Sequence, residues 1–313
     1  MTPILPTDSR YLDQTPWTPL VPVRLDADGP SIWCKLEFML PSGSTKDRIA
    51  RYILEKAWRR GDIGPGSVVI EASSGSTSIA LALACAQLGL KFIAVMPEGV
   101  SEERSLIIKS FGGSVEFSDK GAGVRGSIEA SEKLAAAMKG YLPRQFENPD
   151  NAEAHRRHTA AEVLSQVSGG CVDAVVSGVG TGGTLVGMYQ GFADAGCPVT
   201  PFAARPMSSS SPCFSEPECS SFSSRIPGVV DGLSKIYRRE DLPGLQEIEV
   251  ADADALHVTR RLIRRGFPVG PSSGLNYAAA VAVARRREPD ATVVTVFPDR
   301  MERYFSTELF RAE

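Results

Sequence analysis

With 313 residues, an apolar fraction of 42%, a charged fraction of 23% and a net charge of −3, the chain sits near globular averages and is long enough to bury a core in one or two α/β units. That balance excludes disorder, a nucleic-acid surface and attraction to anionic membranes, so no nucleic-acid or membrane partner is expected and a small molecule is. The N-terminus has no basic stretch leading into an apolar run, and no segment has roughly eighteen uninterrupted apolar residues, which predicts a cytoplasmic chain. In chain order, the first periodic segment is PSGSTKDRIARYILEKAWRRG, where Ile49, Tyr52, Ile53 and Ala57 form the apolar side of a helix starting at Lys46. From Ser67 onward, VVIEA, TSIALALACAQLG, KFIAVMP, SEERSLIIKSFGG and SVEFS read as βαβαβ. VVIEA and FIAVM are nearly continuous apolar runs, as strands covered on both faces require, so a parallel sheet flanked by helices is expected. Ser101 with Glu102 and Glu103 marks a helix start, and Gly112-Gly113 its stop. A second series runs from CVDAVVSGV through a glycine loop and a helix ending near MYQGFADAG to VTPFAA. It is followed by SSSSPCFSEPECSSFSSRIPG, a non-periodic excursion expected at the surface beside a functional cleft. ALHVTRRLIRRG and LNYAAAVAVARRR then read as helices and TVVTVFP as a last buried strand.

The six cysteines stand at positions 34, 85, 171, 197, 213 and 219. Four lie in apolar or strand-like contexts without metal-ligand spacing, which predicts reduced thiols and no metal. Cys213 and Cys219 flank a polar loop and could pair or bind metal.

Three loops rich in glycine and hydroxyl groups each lead into a helix. In the first, Lys46 stands at a helix N-terminus, where the dipole disfavours a cation and lowers the amine's pKa, as an imine-forming lysine requires. Taken alone, an ordinary exposed first-turn lysine is the plainer reading. In the second, Ser73, Ser74, Gly75, Ser76 and Thr77 present amides and hydroxyls to an anion, or simply cap a helix. In the third, Gly180, Thr181, Gly182, Gly183 and Thr184 suit a phosphate cradle. This loop lacks the P-loop lysine and departs from G-x-G-x-x-G, so an NADP-dependent dehydrogenase, with Arg205 reading a 2′-phosphate, is the runner-up it suggests.

Taken together, from TPWTPLVPV to VFPDRMERYFST, these motifs resemble the β-family (fold type II) of pyridoxal-phosphate enzymes, such as cysteine synthase (O-acetylserine sulfhydrylase), cystathionine β-synthase and cysteine desulfhydrases. The resemblance implies an α/β fold of two parallel-sheet domains with pyridoxal 5′-phosphate in the cleft between them. A smaller domain over 40–147 would carry the substrate loop, and a larger one, 1–39 plus 148–313, the phosphate loop. It implies that Lys46 in SGSTKDR carries the Schiff base, and that Ser73, Ser74, Gly75, Ser76 and Thr77 hold the substrate carboxylate with Gln145 of QFENPDN. Residues 180–184 would grip the cofactor phosphate, and Ser272, the first serine of GPSSG, would bond the pyridine nitrogen. A hydroxyl there disfavours long-lived charge on the ring and favours loss of a β-substituent. The activity so implied is β-replacement on an activated L-serine or L-cysteine via an α-aminoacrylate. The alternative is β-elimination releasing sulfide, and the oligomer expected is a homodimer. Ser76 stands where typical synthases have an asparagine that contacts cofactor and substrate, and with Asn276 it looks more like the desulfhydrase relatives. Asp231, in PGVVDGL, introduces an acid where synthases carry small or apolar residues; it is expected to act as a catalytic group in the second half-reaction, with a loop aspartate as the plain alternative.

Overall fold

The computed structural model describes residues 15–73, 75–207, 225–229 and 232–311. The expected βαβαβ series forms a three-stranded parallel sheet of β3 (Val68–Ala72), β4 (Lys91–Pro97) and β5 (Ser114–Ser118), in that order. Side chains alternate across it as period two requires. Val69, Phe92, Ala94 and Met96 enter one core, while Ile70 and Val95 enter another with Ala135. The first core is filled by α1 (Lys46–Arg60) and α2 (Ser76–Leu88). Helix α2 is apolar around its circumference because α1 and α3 (Glu102–Ser110) cover what the sheet does not. On the opposite face lies α4 (Gly123–Met138).

The remaining strands build a six-stranded sheet: β1 (Leu20–Val23), β2 (Ile32–Lys35), β6 (Ala174–Gly178), β7 (Thr200–Met207), β8 (Gln246–Ala251) and β9 (Val293–Val296), ordered β1-β2-β9-β6-β7-β8. All neighbours are parallel except β1 and β2. This edge departs from a purely parallel sheet because the link from Val23 to Ile32 is shorter than the dozen or so residues a parallel crossover needs. Helices α5 (Asp150–Ala154), α6 (Ala160–Gln166) and α7 (Gly183–Asp194) supply one face, with a π-helical turn over His155–Thr159 joining α5 to α6. Helices α8 (Asp252–Arg264) and α9 (Pro271–Ala284) supply the other. Helix α9 starts four residues before LNYAAAVAVARRR, at Pro271, because proline's fixed φ and missing N–H suit a first helical turn.

One cysteine expectation is overturned. Cys171 and Cys197 form a disulfide, with Cα atoms 5.5 Å apart. They precede β6 and β7, which are adjacent and parallel, so the sheet brings together two thiols separated by a whole helix in sequence. Cys34 and Cys85 are buried and free. The excursion over 208–224, with Cys213 and Cys219, lies outside the described residues. No helix among the described residues is long and apolar enough to cross a membrane.

Candidate active site

In the large sheet, the chain leaves β6 toward β7 on one side while β9 lies on the other, a topological switch point that opens a crevice at the carboxyl ends of the strands. An open cleft of about 1020 Å³ occupies this place, lined by strand-end residues Ser177, Gly178, Val296 and Pro298. Lys46, Ser73, Ser76, Thr77, Gln145, Gly180, Thr181, Gly182, Thr184 and Ser272 all line it. Gly75 and Gly183 do not: a Cβ on Gly75 would stand 2.6 Å from Cδ of Arg104, and one on Gly183 would overlap Oδ1 of Asn151. Ser74 and Asp231 lie outside the described residues. Arg205 is salt-bridged to Glu247 on β8 at 2.5 Å and is not part of the lining.

Lys46 is the first residue of α1, held at the cleft by the hydrogen bond from Thr45 N to the Pro298 carbonyl, 2.8 Å. Burial lowers the amine's pKa, opposed by the charges of Asp299 and Glu37. The direction matches the sequence expectation, with desolvation as its largest cause. Behind the lysine loop, Glu37 accepts from Thr45 Oγ1 at 3.1 Å and from Arg48 Nε at 2.6 Å. Arg48 also meets Glu162 at 2.6 Å, and Lys35 meets Glu162 at 2.6 Å. All four charges of this cluster are buried.

The substrate-loop candidates stand at the N-terminus of α2. Thr77 Oγ1 donates to Gln145 Oε1 at 2.6 Å, and Gln145 Nε2 donates to the Ala72 carbonyl at 2.7 Å. Gln145 thereby props Thr77, while its backbone N–H donates to Glu71 Oε2 at 3.2 Å. Burial pushes the Glu71 carboxyl up to about 8 against the backbone N–H groups that lower it. The fold therefore holds a proton that the unfolded chain, with an ordinary value of 4.5, releases. This contribution is complete below 4.5 and lost as pH rises through about 8. Glu71→Gln should gain stability over the parent progressively across that interval, as urea midpoints at a series of pH values would record.

In the third loop, Gly182 has φ +79° and a Cβ there would stand 2.5 Å from Cβ of Tyr237; a Cβ on Gly180 would overlap the Gly228 carbonyl. Glycine at both positions keeps the backbone amides bare at the start of α7, a helix long enough to present an anion site. Asn151 Nδ2 ties this loop to the other side of the cleft, donating to Thr181 Oγ1 at 2.9 Å and to the Gln145 carbonyl at 2.8 Å. Thr184 Oγ1 lies 3.2 Å from His155 Nε2, and the ring's Nδ1 lies 2.9 Å from Thr159 Oγ1. Burial pushes His155 down to about 3, so the ring is neutral. Neither residue was singled out from sequence. Asn151 sits in the same QFENPDN stretch as Gln145, so that motif held the signal, whereas His155 is a lone histidine with none. Asp299 and Tyr304 line the cleft and were also missed, although Asp299 follows a buried strand at the switch point, where ligand groups gather.

The family model of pyridoxal-phosphate dependent enzymes matches residues 12–299. The chain belongs to that family. A cysteine synthase of Staphylococcus aureus is 35% identical over 303 residues, covering 94% of each chain. Among solved structures, the O-acetylserine dependent cystathionine beta-synthase of Helicobacter pylori superposes with a TM-score of 0.85 at 30% identity, covering 96% of this chain and 98% of that one. A hydrogen sulfide-producing enzyme of Fusobacterium nucleatum, in complex with an alpha-aminoacrylate intermediate, gives 0.86 at 32%, covering 97% and 92%. The fold is that of these pyridoxal-phosphate enzymes, and the cofactor is pyridoxal phosphate. The dehydrogenase alternative falls with this result.

The residues present fit the cofactor. Gly180 and Gly182 form a cradle that a Cβ would fill, and among the described residues the Lys46 amine has neither a hydrogen bond nor a salt bridge. Gly182→Val would add left-handed backbone strain of about 1–3 kcal/mol as well as the Tyr237 overlap. It should lose its pyridoxal phosphate on dialysis, measured as cofactor per chain by absorbance, while the parent retains it.

Proposed function

We propose that this chain catalyses pyridoxal-phosphate-dependent β-replacement on an activated L-serine or on L-cysteine. The observation that carries the reading is the meeting of the part-buried Lys46, the Ser76–Thr77 helix start and the Gly180–Thr184 loop on one cleft. In this reading Lys46 holds the cofactor, Gly180, Thr181, Gly182, Gly183 and Thr184 receive its phosphate, and Ser272 faces its ring nitrogen. The bound cofactor supplies a sink for the electrons released when Cα–H breaks. Ser73, Ser74, Gly75, Ser76 and Thr77 bind the substrate carboxylate, with Gln145 bracing Thr77. The amine of Lys46, kept low in proton affinity by burial, takes the proton from Cα. Asp231 is assigned to the second half-reaction, where a carboxylate takes a proton from the incoming nucleophile.

The sulfide-producing neighbour favours a second reading, elimination from cysteine. Spectral titration with O-acetylserine, O-phosphoserine, serine and cysteine, followed by sulfide and pyruvate assays, separates the two. Thiol-dependent consumption of an activated serine without pyruvate is expected. Sulfide and pyruvate from cysteine alone would establish elimination in its place, and no spectral response to any of the four would overturn both.

The division into a smaller unit over 40–147 and a larger one from 1–39 plus 148–313 belongs to this proposal. It is supported by the confinement of the three-stranded sheet to 68–118 while every other strand lies outside 40–147. A cytoplasmic homodimer completes the reading and is tested by fractionation and sedimentation.

A further inference from the structure

Asp299 follows β9, and its backbone is paired with that of Ser44, two residues before Lys46. Its side chain is buried. Oδ2 accepts the hydroxyl of Ser76 at 3.2 Å and the phenol of Tyr304 at 2.6 Å. Oδ1 has no hydrogen-bond partner among the described residues and faces Gly270, where a Cβ would overlap it. Gly270 leads into the turn of α9 that carries Ser272. One residue thus joins four parts of the cleft: its backbone pairs with the lysine loop, and its carboxylate meets the substrate loop and Tyr304 and faces the turn that leads to Ser272. An unsatisfied buried carboxylate oxygen costs stability, and its place in the lining of the cleft that Lys46 shares calls for a use.

Resting on the function proposed above, we propose that Asp299 is a positioning residue that clamps Ser76 against the lysine loop and keeps a negative charge on the cleft that the Lys46 amine also lines. Of the acids near the amine, Glu37 is already bonded to Arg48, and His155 is neutral, so Asp299 is the acid whose charge Arg48 does not offset. Behind Asp299, Tyr304 is kept un-ionised by burial, with the Arg104 guanidinium 5.3 Å from its ring centre. Asp47 accepts from Ser42 N, and Arg303 donates to the Ser42 and Gly43 carbonyls, so both are engaged within the lysine loop. Opposite effects follow from two conservative changes. Asp299→Asn removes the charge and makes the amine easier to deprotonate. Tyr304→Phe removes a donor that disperses the carboxylate's charge, and so makes the amine harder to deprotonate.

The test uses the full-length chain stripped of cofactor and follows the rate of pyridoxal phosphate capture against pH, with borohydride reduction and peptide mapping to locate the modified lysine. Capture requires the neutral amine. The midpoint is expected to shift to lower pH in Asp299→Asn and to higher pH in Tyr304→Phe, with Lys46 labelled throughout. Unshifted midpoints, or shifts in the same direction, overturn the role of Asp299 while leaving the proposed function standing. Labelling of another lysine in the parent overturns that function, and this inference with it. Should Asp299→Asn not fold, an unshifted or lowered midpoint in Tyr304→Phe decides against the proposal and a raised one for it.

Discussion

Lys46→Ala is expected to lower turnover by about 10³-fold or more, since it removes both the covalent anchor and the base at Cα. The variant should still bind pyridoxal phosphate, because Gly180, Gly182 and Thr184 approach the cleft independently of α1. Binding should become reversible: gel filtration strips the cofactor, and borohydride no longer fixes it to the chain. Wild-type behaviour in either respect would remove Lys46 from the site. The Tyr304→Phe comparison complements this result, since it reads the amine's charge without deleting it.

The largest effect on stability is expected at Arg48. Its guanidinium meets Glu37 at 2.6 and 2.8 Å and Glu162 at 2.6 and 2.8 Å, with all of these side chains buried. Arg48→Met leaves Glu37 without a charged partner and Glu162 with Lys35 alone, and breaking a buried pair in this way costs about 3–5 kcal/mol. A urea midpoint shift of that size checks the claim. The acid limb offers a second check. Burial raises the pKa of Glu37, but Arg48 outweighs it and brings the carboxyl to about 2, against an ordinary 4.5. A depressed carboxylate contributes stability that is present above 4.5 and lost as pH falls toward about 2. Without Arg48 that loss should shrink, so the deficit of the variant narrows on acidification. A deficit independent of pH would mean that the cost is one of packing rather than charge. Because Glu37 also holds Thr45, the residue before Lys46, cofactor content should fall before global unfolding does.

Much of this was legible in the sequence because it is periodic or local. VVIEA and FIAVM predicted doubly covered strands, and both proved buried on two faces. Lys46 was placed at a helix start by the apolar spacing of Ile49, Ile53 and Ala57, all of which are buried. What escaped was relational. The Cys171–Cys197 bond exists only because β6 and β7 are neighbours, a fact of sheet order that no local pattern encodes. Asp299 looked like one acid among many after a strand, and its pairing with Ser44 and Ser76 joins residues more than two hundred positions apart. Lys35, Glu37, Arg48 and Glu162 carry no local pattern that marks them, and only the fold brings their three stretches of chain into one buried cluster.

The strand order also sets a timetable for synthesis. The three-stranded sheet draws its strands from a contiguous stretch and can assemble as soon as that stretch leaves the ribosome. Strand β2 must wait for β9: Trp33 pairs with Val294, and Leu25 N donates to the Tyr277 hydroxyl across 252 positions. Until then β2 and β6 present open edges, the surface from which misassembly and swapping between nascent chains begin. The last strand made is thus the one that joins both flanks of the large sheet, and a nascent chain halted before it would hold a finished small sheet beside an unpaired N-terminal hairpin.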